Sequence, residues 1–575
     1  MQNFPDLQTR VEIFIDGLDE PVKYADLNIH QPIHGHHTFR FLWRLDLQSV
    51  LDMAGREDMA QKFLGKLVHI KMGDHYCKYV ITGTEVQGQS NASSGLVIYG
   101  ASPTVLIDDV PQNQAYEEAD LKQIINEALS DVPGNVLSAN AKPNTTDTFP
   151  YIVQYRETDF RFLQRLSVRY GEFMYYNGEE LVIGPPQSDG PTLVNGVDLN
   201  YMHLHTQLRS SVYPFTSYDP LTGEDNRDEV PPASAPGSDL YLSAAADASA
   251  QLFRGSGNKM GYVNNTSNKA ELEKFKELKE KAYVAGLVKF KGQSINSALK
   301  PGLTFNADRG HSQGEYIVTA ITHYSESNGR YENQFEAVPA AIEAPPYTNP
   351  EVVPLGETQT ALVTDNNDPE GLGRVKVAFH WNKGVDSPWL RIVSPHGGGD
   401  KGFYFIPEIG EEVQIGFENN NAEKPFVMGT VYHGAAKPNG WTTAENNVKA
   451  IRTRSGHSIE LHDEQGKEYI VIYDASGNVV HIDTANNTIS ISAPDVVNIS
   501  SKEINIAAED TVNIGAKEVN IIGKKKVSVA SDTQIEEGAP KVTVTGESNV
   551  EISGKLVDVN GQTMTNVKGG QLFLN

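Results

Sequence analysis

Two glycine-framed stretches carry the residue types of acyl-transfer chemistry. Gly310-His311-Ser312-Gln313-Gly314 has the spacing that lifts a serine onto a tight turn, and His396-Gly397-Gly398-Gly399 resembles a backbone oxyanion loop. The context is wrong for both. Glu315 to Ile321 alternates as a strand where a helix should open, and the glycine run follows the serine across a proline boundary instead of preceding it. Both read as turns in which glycine supplies backbone freedom. His34, His36 and His37, with His30 nearby, offer imidazoles without cysteine or carboxylate partners at metal-ligand spacing, so surface or turn histidines are the better account. Gly397 to Gly402 lacks the spacing of a phosphate loop. Asp108-Asp109 and Glu411-Glu412 point to opposite faces of a strand and make no acid–base pair. No enzyme, cofactor or metal is expected.

The elements around these residues are mainly strands. Val11–Ile15 and Val68–Met72 alternate, while Leu121–Leu129 places apolar residues at helical spacing behind Glu117, Glu118 and Asp120. Ser211 to Gly261 is rich in Pro, Gly, Ser, Asp and Ala and reads as a long loop. Ser267 to Val284 predicts a helix, its glutamates and lysines in salt-bridging register. Pro339 to Pro354 contains five prolines and marks a boundary. From Gln359 to His433, five short strands with glycine-bearing turns predict a small closed barrel of the oligonucleotide/oligosaccharide-binding (OB) type. Trp381, Trp389 and Lys376 are its candidate ligand-facing residues, though small barrels usually bury such side chains.

The tail is repetitive. Val497-Asn498-Ile499, Ile504-Asn505-Ile506, Val512-Asn513-Ile514, Val519-Asn520-Ile521 and Val527-Ser528-Val529 recur at spacings of 7 and 8, and Val542-Thr543-Val544, Val550-Glu551-Ile552 and Val557-Asp558-Val559 resume the series. Each is a half-buried strand with nothing of its own to bury against, so the units must stack. They are too short to close a coil of a single-chain solenoid, and no Phe, Tyr or Trp lies between Asp483 and Gly570 to build a meander core. An intertwined β-helical needle of three chains follows.

Composition narrows the partners. A net charge of −26 opposes electrostatic binding to nucleic acid or to an anionic membrane surface. The single cysteine, Cys77, excludes an intrachain disulfide framework. No basic and apolar leader and no run of ~18 apolar residues is visible, so the chain is expected to stay in the cytoplasm until a machine moves it.

Three stretches carry a resemblance. Tyr151-Ile152-Val153-Gln154-Tyr155-Arg156-Glu157-Thr158-Asp159-Phe160, continuing through Arg165-Leu166 and Gly171-Glu172-Phe173, looks like a head motif. Trp389-Leu390-Arg391-Ile392, Gly402 to Pro407 and Ile409-Gly410-Glu411-Glu412-Val413 look like a barrel signature, closed by Lys424-Pro425-Phe426-Val427-Met428-Gly429-Thr430-Val431-Tyr432. Together they resemble the VgrG spike proteins of type VI secretion systems, relatives of contractile phage tail hubs and spikes. Asn419 to Glu423 departs from the family's usual acidic-proline turn and suggests a divergent branch.

The resemblance implies a mainly β, multidomain chain. Residues 1–340 form a hub head of two β-rich subdomains with helical inserts, and 341–358 a proline-rich linker; 359–440 form an OB-fold barrel and 441–575 a trimeric, intertwined triple-stranded β-helix. It implies a structural, membrane-puncturing homotrimer that docks on an Hcp-like tube hexamer and baseplate components. A PAAR-like tip protein, and effectors or adaptors, would ride on it through a target membrane. The chain stops soon after the needle, so no toxin domain is expected, and 433–451 leaves no room for a lysozyme domain. Leu572, Phe573 and Leu574 form the apolar cluster at the blunt end and are the expected tip contact. A phage-type spike with a wall-degrading hydrolase activity is the alternative.

Overall fold

A computed structural model describes residues 9–44, 62–87, 95–210, 213–228, 239–253, 260–264, 266–308, 313–382, 384–438 and 440–573. The chain divides into two compact units, Met1–Asn439 and Gly440–Asn575.

The first unit is organised by one twelve-stranded sheet whose strands come from both ends of the head. From the N-terminus come β1 (Val11–Ile15), β2 (Tyr24–Pro32), β3 (Thr38–Arg44), β4 (Leu67–Met72), β5 (His75–Gln87) and β6 (Gly95–Ala101). Between the two sets lie β7 (Gln112–Asp120), β8 (Ser138–Ala141), β9 (Thr148–Glu157), β10 (Met174–Tyr176) and β11 (Glu180–Ile183). The second set is β12 (Thr192–Val194), β13 (Leu199–Thr206), β17 (Val288–Ser294), β18 (Thr304–Asp308), β19 (Gln313–Ser325) and β20 (Tyr331–Pro339), with β14 (Phe215–Asp219), β15 (Glu224–Asp228) and β16 (Gly261–Tyr262) inserted after β13.

The two sets have the same strand order, although β1 runs antiparallel to β4 and β12 parallel to β18. Across the sheet the first runs β1-β4-β5-β6-β3-β2 and the second β12-β18-β19-β20-β17-β13, so first, second and later strands fall in the same places. Even the irregularities coincide. The ladder between β5 and β6 shifts register between Ile81 and Gly83, and that between β19 and β20 between Val318 and Ala320. Among the described residues the only pairing that joins the sets is β2 against β19, from Pro32↔Ala320 to Leu27↔Ser325. Each set has its own core: Ile13, Ile29, Phe41, Ile70 and Tyr79 in the first, Phe290, Phe305, Tyr316 and Phe335 in the second. Alternation along β2 and β17 sends apolar side chains to these cores and polar ones outward, as period-two patterning requires.

The described residues include four α-helices: α1 (Leu121–Ala128), α2 (Asp159–Tyr170), α3 (Leu240–Leu252) and α4 (Lys269–Ala285). α1 opens on a capping box in which the Asp120 side chain accepts from Gln123 N–H and the Gln123 side chain accepts in return. α2 ends at Gly171, whose φ of 69° is a left-handed cap that other residues adopt only with strain. α4 matches the expected helix to within two residues at each end, with Lys281 Nζ 2.7 Å from Glu277 Oε1 one turn away.

The loop expected over Ser211 to Gly261 is in large part structured. β14, β15 and β16 make a small sheet, and α3 buries Leu242, Ala245, Ala246 and Ser249. Alanine, counted with Gly, Pro and Ser as loop composition, is the best helix former, and Asp239 caps the segment through Tyr241 and Leu242 N–H.

The barrel follows. β21 (Gln359–Asp365), β22 (Lys376–Phe379), β25 (Glu412–Phe417) and β26 (Pro425–Thr430) form a four-stranded sheet in the order β22-β21-β25-β26, with β23 (Gly397–Gly398) and β24 (Lys401–Gly402) as a separate hairpin. The segment Leu390–Ile392 closes it. Leu390 bridges Val375 beside β22, and Ile392 bridges Val427 of β26, so the two sheet edges meet on one short stretch. The strands expected at Trp389–Val393 and Gly402–Pro407 are thus reduced to isolated bridges and a two-residue strand, because barrel curvature leaves room for few ladder bonds there.

The second unit has two parts. β27 (Val448–Arg452), β28 (Ser458–His462), β29 (Tyr469–Tyr473), β30 (Val479–Asp483) and β31 (Thr488–Ser492) form an antiparallel meander in chain order. Within the stretch expected as needle from 441, this meander precedes the triplet repeats. From 493 to 573 the described backbone forms no strand pairs within the chain.

Candidate functional site

The head motif builds a buried charged joint between head and barrel. Thr158 caps α2 by accepting from Arg161 N–H at 3.2 Å, and Gln154 Nε2 donates to Glu157 O at 2.9 Å and to Asp159 Oδ1 at 3.0 Å. These bonds fix the start of α2, which then carries Arg165 and Arg169 one turn apart toward the barrel. Arg165 Nε lies 2.8 Å from Glu157 Oε1, its Nη2 donates to Val153 O at 2.6 Å, and its Nη1 lies 3.3 Å from Glu423 Oε1. Arg169 bonds the other oxygen of Glu423. Glu423 arrives from the turn before β26, and its side chain is only 5% exposed. Burial alone pushes its carboxyl up, but the guanidiniums of Arg169 and Arg165 outweigh burial and hold it below the usual glutamate range. An apolar layer accompanies the ions: Ala115, Tyr151, Val153, Tyr155 and Ala422, with Trp381 and Phe417 against them.

That layer decides the fate of the candidate ligand face. Trp381 stacks on Phe379 at 5.1 Å and donates from Nε1 to Gln359 Oε1 at 2.7 Å, so it is a packing residue. Lys376 lies over the Trp389 ring at 5.8 Å. His396 to Gly399 belong to the exposed β23–β24 hairpin. The elbow residues Gly310, His311 and Ser312 lie outside the described residues.

The histidine cluster is split, and one member overturns the expectation of surface or turn residues. His34 is in a left-handed turn, φ 61°, stacked on Tyr347, and His36 lies 3.1 Å from Asp108 Oδ2. His37 is instead fully buried, edge-on to Tyr176. A separate polar network, running through His323, Gln31 and Tyr79, was missed by sequence reading because its members come from distant strands. His323 Nε2 donates to Gln31 Oε1 at 3.0 Å and its Nδ1 accepts from Tyr331 OH at 2.7 Å, fixing one neutral tautomer. Gln31 Nε2 donates to Tyr79 OH at 2.9 Å, and Cys77 Sγ lies 3.0 Å from His75 Nε2. No group of three or more His, Cys, Asp or Glu side chains with metal-holding geometry occurs among the described residues.

Burial holds these imidazoles neutral: His37 is pushed down to about 3, His75 to about 4, and His323 well below the usual histidine range. In the unfolded chain each binds a proton near pH 6.5, so the unfolded state gains protons first as pH falls. Stability is therefore full above pH 6.5 and declines by about 1.4 kcal/mol per pH unit per group on acidification. The urea midpoint of the head should fall steeply between pH 7 and pH 5. A His323→Phe variant should show a shallower decline; equal slopes would remove His323 from this account.

The shaft is uniform. The first residue of each triplet is about half exposed and the third more so: Val512 50% and Ile514 69%, Val519 50% and Ile521 70%, Val557 49% and Val559 70%. Side-chain bonds repeat too, with Asn505 Nδ2 3.2 Å from Glu503 Oε1 and Asn520 Nδ2 3.0 Å from Glu518 Oε1. At the end, Leu572 is 56% and Phe573 85% exposed, and Leu574 lies outside the described residues. No helix among the described residues is long and apolar enough to cross a membrane.

A head with two strand sets of the same order, joined to an OB barrel, defines a class. Residues 46–329 match the phage tail baseplate hub family, and residues 359–432 match the type VI secretion system/phage-baseplate injector OB domain. The chain accordingly carries a baseplate-hub region followed by an injector OB domain. Its relatives are VgrG spike proteins. It is 33% identical over 171 residues to the type VI secretion system spike protein VgrG4b of Pseudomonas aeruginosa, covering 26% of this chain and 21% of that one. It is 25% identical over 387 residues to VgrG5 of the same organism, covering 58% and 47%. The chain thus spans less than half the length of these two relatives. A solved chain from the Francisella PdpA–VgrG complex shares the fold, with a TM-score of 0.51 at 9% identity, covering 84% of this chain and 87% of that one.

Proposed function

We propose that the protein is the force-bearing, non-enzymatic spike of a type VI secretion apparatus, acting as a homotrimer. The observation that carries this reading is the shaft: regular β-branched faces, half exposed and without strand partners in their own chain. Such faces are stable in water only when other copies cover them. The duplicated head fits the same assembly. Three chains with two tube-like sets each give a ring of six, which meets an Hcp-like hexameric tube without a symmetry mismatch. The buried Arg165–Glu423–Arg169 joint then transmits thrust from head to barrel, because separation would leave Glu423 and Arg169 unpaired in a dry site.

In this reading the chain is made in the cytoplasm, assembles with baseplate components, and leaves the cell when the sheath contracts. A PAAR-like tip contacts Leu572, Phe573 and Leu574, and effectors or adaptors travel with it. Stiffness and shape are its contribution; the energy comes from the sheath. Light scattering on the full-length protein tests the reading. The expected mass is three times the 63.1 kDa chain. A single-chain mass would leave the shaft's apolar faces uncovered and sink it.

A further inference from the structure

The internal duplication identifies two free edges that fit each other. Registers place Ile29 opposite Phe39 and Leu204 opposite Phe290, while Phe39 and Phe290 pair with Gly100 and Ala337. Gly100 and Ala337 in turn pair with Ile81 and Val318, each beside the shared bulge. Strand β13 is therefore the counterpart of β2, with His205 in the place of His30 and Leu204 in that of Ile29. The C-terminal half of β5 is the counterpart of the C-terminal half of β19, with Glu85 in the place of Thr322 and Val86 in that of His323.

Within the chain, β2 pairs with the free half of β19. The corresponding pair is empty. β4 accompanies β5 only as far as Val80, and, among the described residues, 83–87 pair β6 on one side alone. β13 pairs β17 on one side and has no second strand partner among the described residues. The two edges lie seven strands apart in the sheet.

We infer that β13 of one chain adds antiparallel to residues 83–87 of β5 in the next copy, in the register that β2 and β19 use within the chain. This rests on the trimeric spike reading and specifies how the heads join. The register sets Gln207 opposite Gly83, Thr206 opposite Thr84, His205 opposite Glu85 and Leu204 opposite Val86. The side chains suit it. Val86, 46% exposed, and the partly buried Leu204 fall on the core side, as Ile29 and His323 do in the internal pair. Glu85 and His205 fall on the outer side, where His30 Nδ1 and Thr322 Oγ1 already bond at 3.0 Å. The contact is head-to-tail, so each copy gives one edge and takes one, and a ring closes with neither of these two edges left unpaired.

The test is disulfide trapping in the full chain, since opposed Cα atoms of an antiparallel pair fall within the span a disulfide bridges. Cys77 is buried and stays out of the reaction. The Glu85→Cys/His205→Cys double variant, and separately Thr84→Cys/Thr206→Cys, should give a covalent trimer on oxidation. The four single variants should not cross-link. The mismatched Glu85→Cys/Leu204→Cys variant should cross-link at least tenfold less. A trimeric mass without a covalent trimer from either matched pair overturns the strand pairing and leaves the spike reading standing. A bridge closed within one chain overturns the pairing as well. A single-chain mass before oxidation overturns the spike reading, and the pairing with it.

Discussion

Replacing Ile506 and Ile521 together with aspartate should convert the trimer to single chains at concentrations where the unaltered protein is fully assembled. Both side chains are about 70% exposed in the isolated chain, and in a wound shaft both turn inward with their two symmetry mates. Burying an aliphatic side chain of this size stabilises by about 1.5–3 kcal/mol, so losing three in one layer removes on the order of 5 kcal/mol. Three carboxylates then share a dry axis, which adds several kcal/mol per ion through desolvation and like-charge repulsion. A matched control separates this from a general charge effect. Asn498→Asp with Asn513→Asp places new charges at central triplet positions, on the opposite face of the strand, and should keep the trimeric mass. Equal loss of the trimer in both variants would show that the Val/Ile face is not the interior one.

The second large effect belongs to the joint. Glu423→Ala removes the shared partner of Arg165 and Arg169, whose side chains are 6% and 15% exposed, and leaves two guanidiniums facing each other in a buried site. Breaking a buried ion network from one side costs about 3–5 kcal/mol. Urea unfolding should show that loss, and limited proteolysis should begin to cut between Pro339 and Gln359, where head passes into barrel. Glu423→Gln should cost less because it keeps one acceptor. Acid acts in the same direction. The glutamate titrates below its ordinary range in the folded state, so its contribution is complete above pH 5 and disappears as pH falls through the folded value. The Ala variant should lack this acid-sensitive component of stability. An unchanged midpoint in Glu423→Ala would mean that the joint is held by the apolar layer around Tyr155 and Trp381 alone.

Local pattern made much of this protein readable. The helix at Lys269–Ala285 and the strand at Val11–Ile15 follow from spacing and caps, because helix and strand periodicity is written into neighbouring residues. The triplets disclosed a shaft that one chain cannot complete, since a β-branched face without a partner is legible wherever it repeats. Composition misled over Ser211–Gly261, where alanine counted toward a loop forms α3.

Tertiary structure decided what depends on residues far apart. Glu423 looked like part of a divergent surface turn; it is the buried counter-ion of two arginines more than 250 positions earlier, and no spacing rule links them. His37 looked like one of a surface cluster; the fold buries it fully against Tyr176, and that burial holds its imidazole neutral. The duplication of the head is likewise silent in the sequence, because the two sets share an order of hydrogen-bonded strands rather than a series of side chains. Sequence determined the elements and the repeating β-branched faces of the tail, which are local properties of period and polarity. Only the fold decided which charges are buried together and which edges remain open, because burial and strand order are properties of the whole chain.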